Sequence, residues 1–426
     1  MLLNMYKKTV LENNLRVISY EKKESESITL LILVRAGSRY EVESERGLSH
    51  FLEHMFFKGA KDFPTAESVA KTIDEIGGAF NAFTGKEYAG YYVKCAKEHA
   101  EVAFHVLSDM MKHSTFQNEE INKEQGVILE ELNMYKDTPM YQVAWDFEAL
   151  LFGDQPLGWD TIGKKEVITS VQHQDFVDYK NILYTPDNML VCVSGGLSQK
   201  KATELSQKYF SDMSGEKQRD MAEFIEMTPE KRVVIAEKKT EQAHFVIGGK
   251  GLESRHEDVY ALEILSVLTG GMMSSRMFLN IREKKGLCYY ISTSTDTYFD
   301  AGSISTRAGV DLSRIEEALE SIVHEYNVLA KEGITNEELE KGKNYVIGKM
   351  KLRLEDSEEI AGMIGTQELL YNEVLLPKDI EKKFRAVTLE DVNRLAKQFF
   401  GPENRYLSLI GPFKGKEEEF IKILNK

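Results

Sequence analysis

Cysteine is scarce in this sequence, and its scarcity narrows the classes of protein to which the chain can belong. Only three cysteines occur among 426 residues, at Cys95, Cys192 and Cys288, far apart and odd in number. They supply neither a disulfide framework nor the paired cysteine ligands of a zinc ribbon. A reducing compartment accounts for this pattern most simply, and we expect a cytoplasmic protein.

An excess of basic residues is also missing. The chain has 54 Lys and Arg against 69 Asp and Glu, which gives a formal net charge of -15. Because the phosphates of nucleic acids require a basic surface, we expect no nucleic-acid partner. Acidic residues that line a cavity would favour basic ligands, whereas a solvated acidic surface would explain the same charge without any ligand.

Long hydrophobic runs are absent as well. The longest apolar run near the start, "ITLLILV", is too short to span a bilayer, and "MLLNMYKKTVLENNLRV" interrupts its apolar residues with polar ones. We therefore expect no signal peptide and no membrane partner. The 42% of hydrophobic residues is typical of a globular protein, and 426 residues exceed what one hydrophobic core usually supports. Two or more domains are expected.

Two similar stretches recur in the two halves of the chain. "VISYEKKESESITLLILVRAG" resembles "VVIAEKKTEQAHFVIGGKG", and "NEEINKEQGVILEEL" resembles "NEELEKGKNYVIGKM". Between the halves, residues 214–232 are polar and charged, without strong periodicity. We predict an N-terminal domain over residues 1–213, a linker over 214–232 that acts as a hinge, and a homologous C-terminal domain over 233–426.

The stretch "GLSHFLEHMFFKGA", residues 47–60, carries the strongest chemical signal. A helix would place His50, Glu53 and His54 on one arc of roughly a quarter of its circumference. Two imidazoles so placed can bind one zinc ion, and a carboxylate beside them can take a proton from a water that the metal acidifies. The pattern arises by chance in roughly one such chain in fifty, so two ordinary helix-face histidines remain an alternative.

A hand alignment of the two halves shows that only the first half has this polar cluster. His50 falls opposite Ala261, Glu53 opposite Ile264, and the position of His54 is also apolar in the second half. The second half is therefore predicted to keep the scaffold without the metal ligands.

A catalytic zinc ion requires a third protein ligand, for which a predicted helix offers candidates. The stretch "NEEINKEQGVILEEL" contains the carboxylates Glu119, Glu120, Glu124, Glu130 and Glu131. Glu124 and Glu131 are seven apart and share a face, whereas Glu130 points about 100 degrees away. Spacing alone does not select the ligand, because a glutamate on so acidic a helix is more often solvated.

These residues resemble a known family. The order His-x-x-Glu-His, with Glu131 77 positions after His54, is similar to that of the inverzincin metallopeptidases of the pitrilysin, insulin-degrading-enzyme and mitochondrial-processing-peptidase group, family M16. The resemblance extends over essentially the whole chain, including "AFNAFTGKEYAGYY" and "LTGGMMSSRMFLNIREKKGLCYY". The length and "HFLEHMFFKGA" resemble most the short-chain, processing-peptidase-like members of bacteria.

The resemblance assigns roles around one zinc ion per chain. It implies His50, His54 and Glu131 as the metal ligands and Glu53 as the general base of peptide hydrolysis. It also implies that Glu124 is a carboxylate that supports the site from behind the ligands.

The resemblance further implies residues that contact the substrate. Asn81 and Ala82 would lie on an edge strand to which an extended peptide adds as an extra strand. Arg282 and Tyr289, seven apart in "RMFLNIREKKGLCYYIS", would reach the active site from the C-terminal domain and donate hydrogen bonds to a substrate carbonyl or oxyanion. Without the resemblance, Arg282 would be read as a surface ion-pair residue and Tyr289 as part of the core.

The resemblance finally implies a fold and a function. The fold class is α+β, with two homologous α/β domains, each a mostly antiparallel sheet packed with helices, arranged as a clamshell. The expected function is zinc-dependent endopeptidase activity on unstructured or extended peptides, including basic ones, in an enclosed chamber of a homodimer. Two alternatives are a non-catalytic structural subunit related to processing-peptidase-like core proteins and an unrelated metal-binding or metal-storage protein.

Overall fold

The computed structural model describes residues 6–426, which form eleven β-strands and fifteen α-helices. The strands are β1 (Tyr6–Val10), β2 (Arg16–Glu21), β3 (Ser27–Val34), β4 (Ala79–Thr84), β5 (Ala89–Ala96), β6 (Met189–Gly195), β7 (Val233–Glu237), β8 (Gln242–Lys250), β9 (Cys288–Thr297), β10 (Gly302–Asp311) and β11 (Tyr406–Gly411). The helices are α1 (Leu48–Phe56), α2 (Ala66–Asp74), α3 (Ala100–His113), α4 (Asn118–Asp137), α5 (Pro139–Phe152), α6 (Lys165–Ser170), α7 (His173–Leu183), α8 (Gln199–Phe210), α9 (Val259–Ser266), α10 (Ile315–Glu332), α11 (Asn336–Arg353), α12 (Ser357–Tyr371), α13 (Pro377–Ala386), α14 (Leu389–Phe399) and α15 (Glu417–Leu424). Among these residues no helix is both long enough and apolar enough to cross a membrane.

Local sequence signals explain where elements begin. Strand β3 is a run of apolar and β-branched residues, and every residue after Ser27 in it is buried. Helix α2 begins after Thr65, whose hydroxyl accepts a hydrogen bond from the Ser68 amide over 3.1 Å. That contact satisfies one of the amides left without a partner at a helix N-terminus, as is typical of a threonine N-cap.

The first compact unit is built on a six-stranded sheet with the order β1-β2-β6-β3-β5-β4. Among its described strands, β2 and β6 run parallel and the other neighbours run antiparallel. The unit comprises the described residues up to Leu132, residues 160–222 and residues 351–376. Helix α1 follows β3 and packs against the edge strand β4.

The second compact unit repeats this topology. Its five-stranded sheet has the order β7-β11-β8-β10-β9, in which only β7 and β11 run parallel among the described strands. This is the order of the first sheet without β1. Helix α9 follows β8 just as α1 follows β3, and it carries the buried residues Ala261, Ile264 and Leu265. The repeat inferred from the sequence is therefore present in the fold.

The compact units differ from the predicted domains, residues 1–213 and 233–426, in the placement of two segments. Residues 133–159, with α5, belong to the second unit, where α5 packs on β8 and β11. Residues 351–376, with α12, belong to the first unit, where α12 packs on β3 and β6. The central strands β3, β6, β8 and β11 are largely buried on both faces. The helices from the same half of the chain leave one face of each sheet uncovered, and a helix from the other half covers that face.

The predicted linker has no helix or strand over residues 214–232. The boundary between the units lies inside it, after Ala222. Arg219 pairs with Glu45 in the first unit, and the Phe224 amide bonds Asp300 in the second unit over 2.9 Å. Its role as a hinge stays a prediction.

Two glycines of α12 test how closely this helix approaches the sheet. A Cβ on Gly365 would lie 2.7 Å from Cδ1 of the fully buried Leu33, whereas a Cβ on Gly362 would meet nothing within 4 Å. Gly362→Ala should raise the free energy of unfolding by about 0.5–1 kcal/mol, because alanine favours a helix over glycine. Gly365→Ala should lower it by about 1–3 kcal/mol through overpacking. Urea unfolding followed by circular dichroism measures both, and equal shifts would contradict this packing.

Candidate metal centre

The helix that carries the two histidines is fixed at its N-terminus by a buried glutamate. The carboxylate of Glu41 accepts hydrogen bonds from the amides of Gly47 and Ser49 over 2.9 and 2.8 Å. Gly47 has φ 97°, and a Cβ there would lie 2.1 Å from the carbonyl oxygen of Ile162, so only glycine fits. Burial raises the pKa of Glu41 to about 7. These contacts set the position of α1 before the first histidine.

The structure brings His50, His54 and Glu131 together. The two imidazole centroids lie 4.7 Å apart on α1, and Glu131 faces them from α4. The Oε2 atom of Glu131 lies 3.8 Å from Nε2 of His50 and 3.6 Å from Nε2 of His54. Among the described residues this is the one group of His, Cys, Asp and Glu whose ligand atoms could hold a metal ion, all within 4.8 Å of one another.

The donor set and its spacing fit a zinc ion. Distances of 3.6 and 3.8 Å are too long for hydrogen bonds. They approach the ligand-to-ligand edge of about 3.4 Å that a tetrahedral zinc site with bonds of about 2.1 Å requires. The three groups therefore lie close enough to share one ion, and Glu131 forms no hydrogen bond with either histidine.

His50 is held as a neutral base. Burial is the main cause that lowers the pKa of His50 to about 3, and the nearby His54 is the second. Its Nδ1 atom is buried without a hydrogen-bond partner among the described residues. Neutral imidazole is the form that coordinates metals, so His50 needs no deprotonation before it binds one.

Glu124 contacts the Nδ1 side of His54, whereas Glu131 faces Nε2 of the same ring. Its Oε2 atom is 3.1 Å from Nδ1 of His54, and its Oε1 atom is 2.6 Å from Nζ of Lys58. Burial raises the pKa of Glu124, but hydrogen bonds from His54 and Lys58 prevail and hold it below its usual range. A charged Glu124 accepts a hydrogen bond from the Nδ1–H group of His54, which leaves Nε2 of the same ring, on the side of Glu131, unprotonated.

Glu130 and Glu131 are adjacent on α4, but their side chains point in different directions. Glu131 faces both histidines, whereas Glu130 is exposed to solvent. Glu124, seven residues and nearly two turns before Glu131, is 5% exposed. The predicted sharing of a face by Glu124 and Glu131 is therefore what the structure shows.

Glu53 lies beside this group in a partly buried position. Burial raises the pKa of Glu53, and the charge of Glu131 adds to the increase, while Thr84 and His54 oppose it. Thr84 belongs to the edge strand β4, against which α1 packs. A carboxylate with a raised pKa next to a potential metal site is suited to accept and return a proton.

Asn81 and Ala82 lie on β4, at the edge of the first sheet. They pair with Tyr92 and Tyr91 of β5, and no described strand pairs with the outer side of β4. The Ala82 amide instead donates to the side-chain oxygen of Asn81 over 2.9 Å. An open edge of this kind can accept a further strand.

Arg282 and Tyr289 lie in the second unit. Arg282 is in a π-helical turn, Phe278–Glu283, with its guanidinium 4.5 Å from the centroid of the Phe278 ring. Tyr289 lies on β9 and is 79% exposed, so the alternative that it belongs to the core is wrong. Arg282 forms no ion pair among the described residues, which removes the surface ion-pair alternative. Their action at the metal group stays a prediction.

Two residues near the centre escaped the sequence analysis, Lys58 and Glu41. Lys58 stands four positions after His54, the spacing of one helix face, which was the one available signal. Glu41 gave no signal, because the amides that it bonds become neighbours only through the turn at Gly47.

Comparison with known families covers most of the chain. The family model described as insulinase (peptidase family M16) matches residues 16–164, and that of the peptidase M16 inactive domain matches residues 170–346. The chain belongs to peptidase family M16. The first M16 match contains His50, Glu53, His54 and Glu131.

Full-length relatives agree with the M16 assignment. An uncharacterized zinc protease of Bacillus subtilis, YmxG, is 36% identical over 96% of this chain and 98% of its own. An uncharacterized zinc protease of Streptomyces coelicolor is 31% identical over 96% of this chain and 90% of its own. The crystal structure of a protease from Helicobacter pylori has a TM-score of 0.89 at 24% identity, covering 96% and 99% of the two chains. The predicted α+β fold class is thereby confirmed.

Proposed function

We propose that this M16 protein is a zinc-dependent endopeptidase that hydrolyses unstructured or extended peptides. The observation that carries the proposal is that the ligand atoms of His50, His54 and Glu131 lie within 4.8 Å of one another, with Glu53 on the same helix as the two histidines. The names of the relatives, which call them zinc proteases, support it.

In this proposal the ligand residues hold one zinc ion per chain. Bound by His50, His54 and Glu131, zinc would polarise a substrate carbonyl and acidify water. Glu53 takes a proton from the attacking water and returns it to the amine that leaves when the peptide bond breaks.

The open edge of β4 is the proposed binding place for the substrate backbone. A peptide that added to this strand would displace the local bond between the Ala82 amide and the Asn81 side chain. Because strand addition reads mainly backbone groups, broad sequence tolerance and a requirement for extended substrate follow. Folded proteins should resist cleavage.

Arg282 and Tyr289 are proposed as substrate-contacting donors from the second unit. A guanidinium that has no acidic partner among residues 6–426 and an exposed phenol can both donate hydrogen bonds to a carbonyl or an oxyanion. Closure of the two units as a clamshell, around a chamber that could include basic peptides, belongs to the same proposal.

Cleavage of a matched pair of substrates tests the proposal. One protein sequence is offered as a disulfide-reduced, unfolded chain and as its native, disulfide-bonded fold, and products are identified by mass spectrometry. We expect cleavage of the unfolded form alone, at many sites, and none after treatment with a chelator. Absence of both zinc binding and cleavage would instead support the structural-subunit alternative, which the names of the relatives do not favour. Zinc uptake without turnover at any peptide would support the metal-storage alternative.

We also propose that the protein acts as a cytoplasmic homodimer, as the resemblance to short-chain members implies. All three cysteines are free, which suits a reducing compartment. Light scattering at micromolar concentration should return twice the chain mass of 48.6 kDa. A mass of one chain under those conditions would contradict the dimer.

A further inference from the structure

We propose that Lys58 is a positioning residue of the metal centre, which holds Glu124 in the orientation that fixes His54 for zinc. This inference rests on the proposed function only in taking zinc as the bound metal. It concerns a residue that touches none of the three ligands and is separated from His54 by Glu124.

The contacts form a continuous chain from Lys58 to the metal ligands. Lys58 lies two residues beyond the end of α1, and its Nζ is 2.6 Å from Oε1 of Glu124 on α4. The other carboxylate oxygen of Glu124 is 3.1 Å from Nδ1 of His54. Nε2 of the same imidazole is 3.6 Å from Glu131. Each carboxylate oxygen of Glu124 thus has one strong partner.

The burial of Glu124 makes both partners necessary. Its side chain is 6% exposed, whereas that of Lys58 is 26% exposed. A buried carboxylate requires hydrogen bonds and a compensating charge. With Lys58 removed, one oxygen of Glu124 would lose its partner, and the carboxylate would turn away from His54 toward water. The imidazole would then lose the contact that orients its ring.

A cation with no positioning role would have the opposite effect. A lysine close to a doubly charged ion repels it, so removal of a bystander lysine should tighten zinc binding. Removal of a positioning lysine should weaken zinc binding, because partners behind metal ligands commonly contribute about 10–100-fold in affinity. The sign of the change therefore separates the two roles.

The test measures the zinc affinity of the full-length protein by competition with a chromophoric chelator at fixed pH and ionic strength. Lys58→Met should weaken binding by about 10–100-fold, whereas Lys58→Arg, which keeps the charge and the donors, should restore most of it. Lys61→Met is the matched control, because Lys61 is exposed three residues further on, and its affinity should equal that of the wild type. In the Glu124→Gln background, Lys58→Met should have little further effect.

Folding is checked on the metal-free variants by circular dichroism and thermal unfolding. If Lys58→Met does not fold, Lys58→Gln replaces it, and a loss of at least threefold in zinc affinity is expected there. Unchanged or tighter zinc binding by a folded variant would overturn the proposal, as would an equal loss in the Glu124→Gln background. Turnover is not part of this measurement, so a wild-type protein that binds zinc without cleaving peptides would contradict the proposed function and leave the role of Lys58 decided by affinity.

Discussion

Glu53→Gln is expected to abolish peptide turnover while the protein keeps its zinc. The amide cannot accept the proton of the attacking water, and loss of a general base typically lowers kcat by about 10²–10⁴-fold. Glu53 is not part of the group of ligand atoms formed by His50, His54 and Glu131, so metal content should stay the same. Steady-state cleavage of an unstructured peptide and metal analysis of the same sample provide the two readouts.

The control for this variant is the same substitution on a neighbouring helix. Glu67 lies exposed in the first turn of α2, and Glu67→Gln should leave both turnover and zinc content unchanged. A fully active Glu53→Gln protein would show that another group moves the proton. Loss of zinc together with activity would show that Glu53 supports the metal instead of the chemistry.

Glu131→Gln is expected to remove most of the bound zinc, whereas Glu130→Gln is expected to retain it. The two residues are adjacent, but only Glu131 approaches both histidines, at 3.8 and 3.6 Å. Replacement of a charged ligand oxygen by an amide should weaken zinc binding by at least about 100-fold, more than the loss of a group behind the ligands. Zinc retained after dialysis against a mild chelator, measured per chain, distinguishes the variants.

The pair also tests the register of α4. Both substitutions remove one negative charge from the same helix, so a general electrostatic effect on zinc would be equal for the two. Zinc loss from Glu130→Gln, or zinc retention by Glu131→Gln, would mean that the third ligand is not the residue that faces the histidines.

Much of the metal centre was predictable because its geometry is local. The i, i+4 spacing of His50 and His54 on a helix follows from helical periodicity, and so does the shared face of Glu124 and Glu131. What spacing could not provide was the approach of α4 to α1, since Glu131 stands 77 positions after His54. The resemblance to a family supplied that contact.

Lys58 illustrates a contact that local reasoning misses. Its partner lies on another helix, and a lysine after an amphipathic helix is ordinarily read as solvated. Only the burial of Glu124 in the fold gives Lys58 a specific place.

Helices α5 and α12 each pack on the sheet of the other half of the chain. This packing was not predictable for a related reason. An apolar helix face shows that the helix packs on something, but not on which of two similar sheets. Leu31 and Leu33 of β3 belong to one apolar cluster with Ile360 and Ile364 of α12, more than 300 positions later in the chain. The internal repeat, in contrast, implied that the two sheets share one strand order, because duplicated sequences fold with the same topology.

Zinc-restored peptide cleavage is the measurement that tests the central claim most directly. Metal-free protein is titrated with zinc while the cleavage of one unstructured peptide is followed. Activity should be absent at the start, rise in proportion to added zinc and level off at one zinc per chain, with Glu53→Gln inactive throughout. Cleavage by the metal-free protein, or stoichiometric zinc binding with no cleavage of any peptide, would contradict the account.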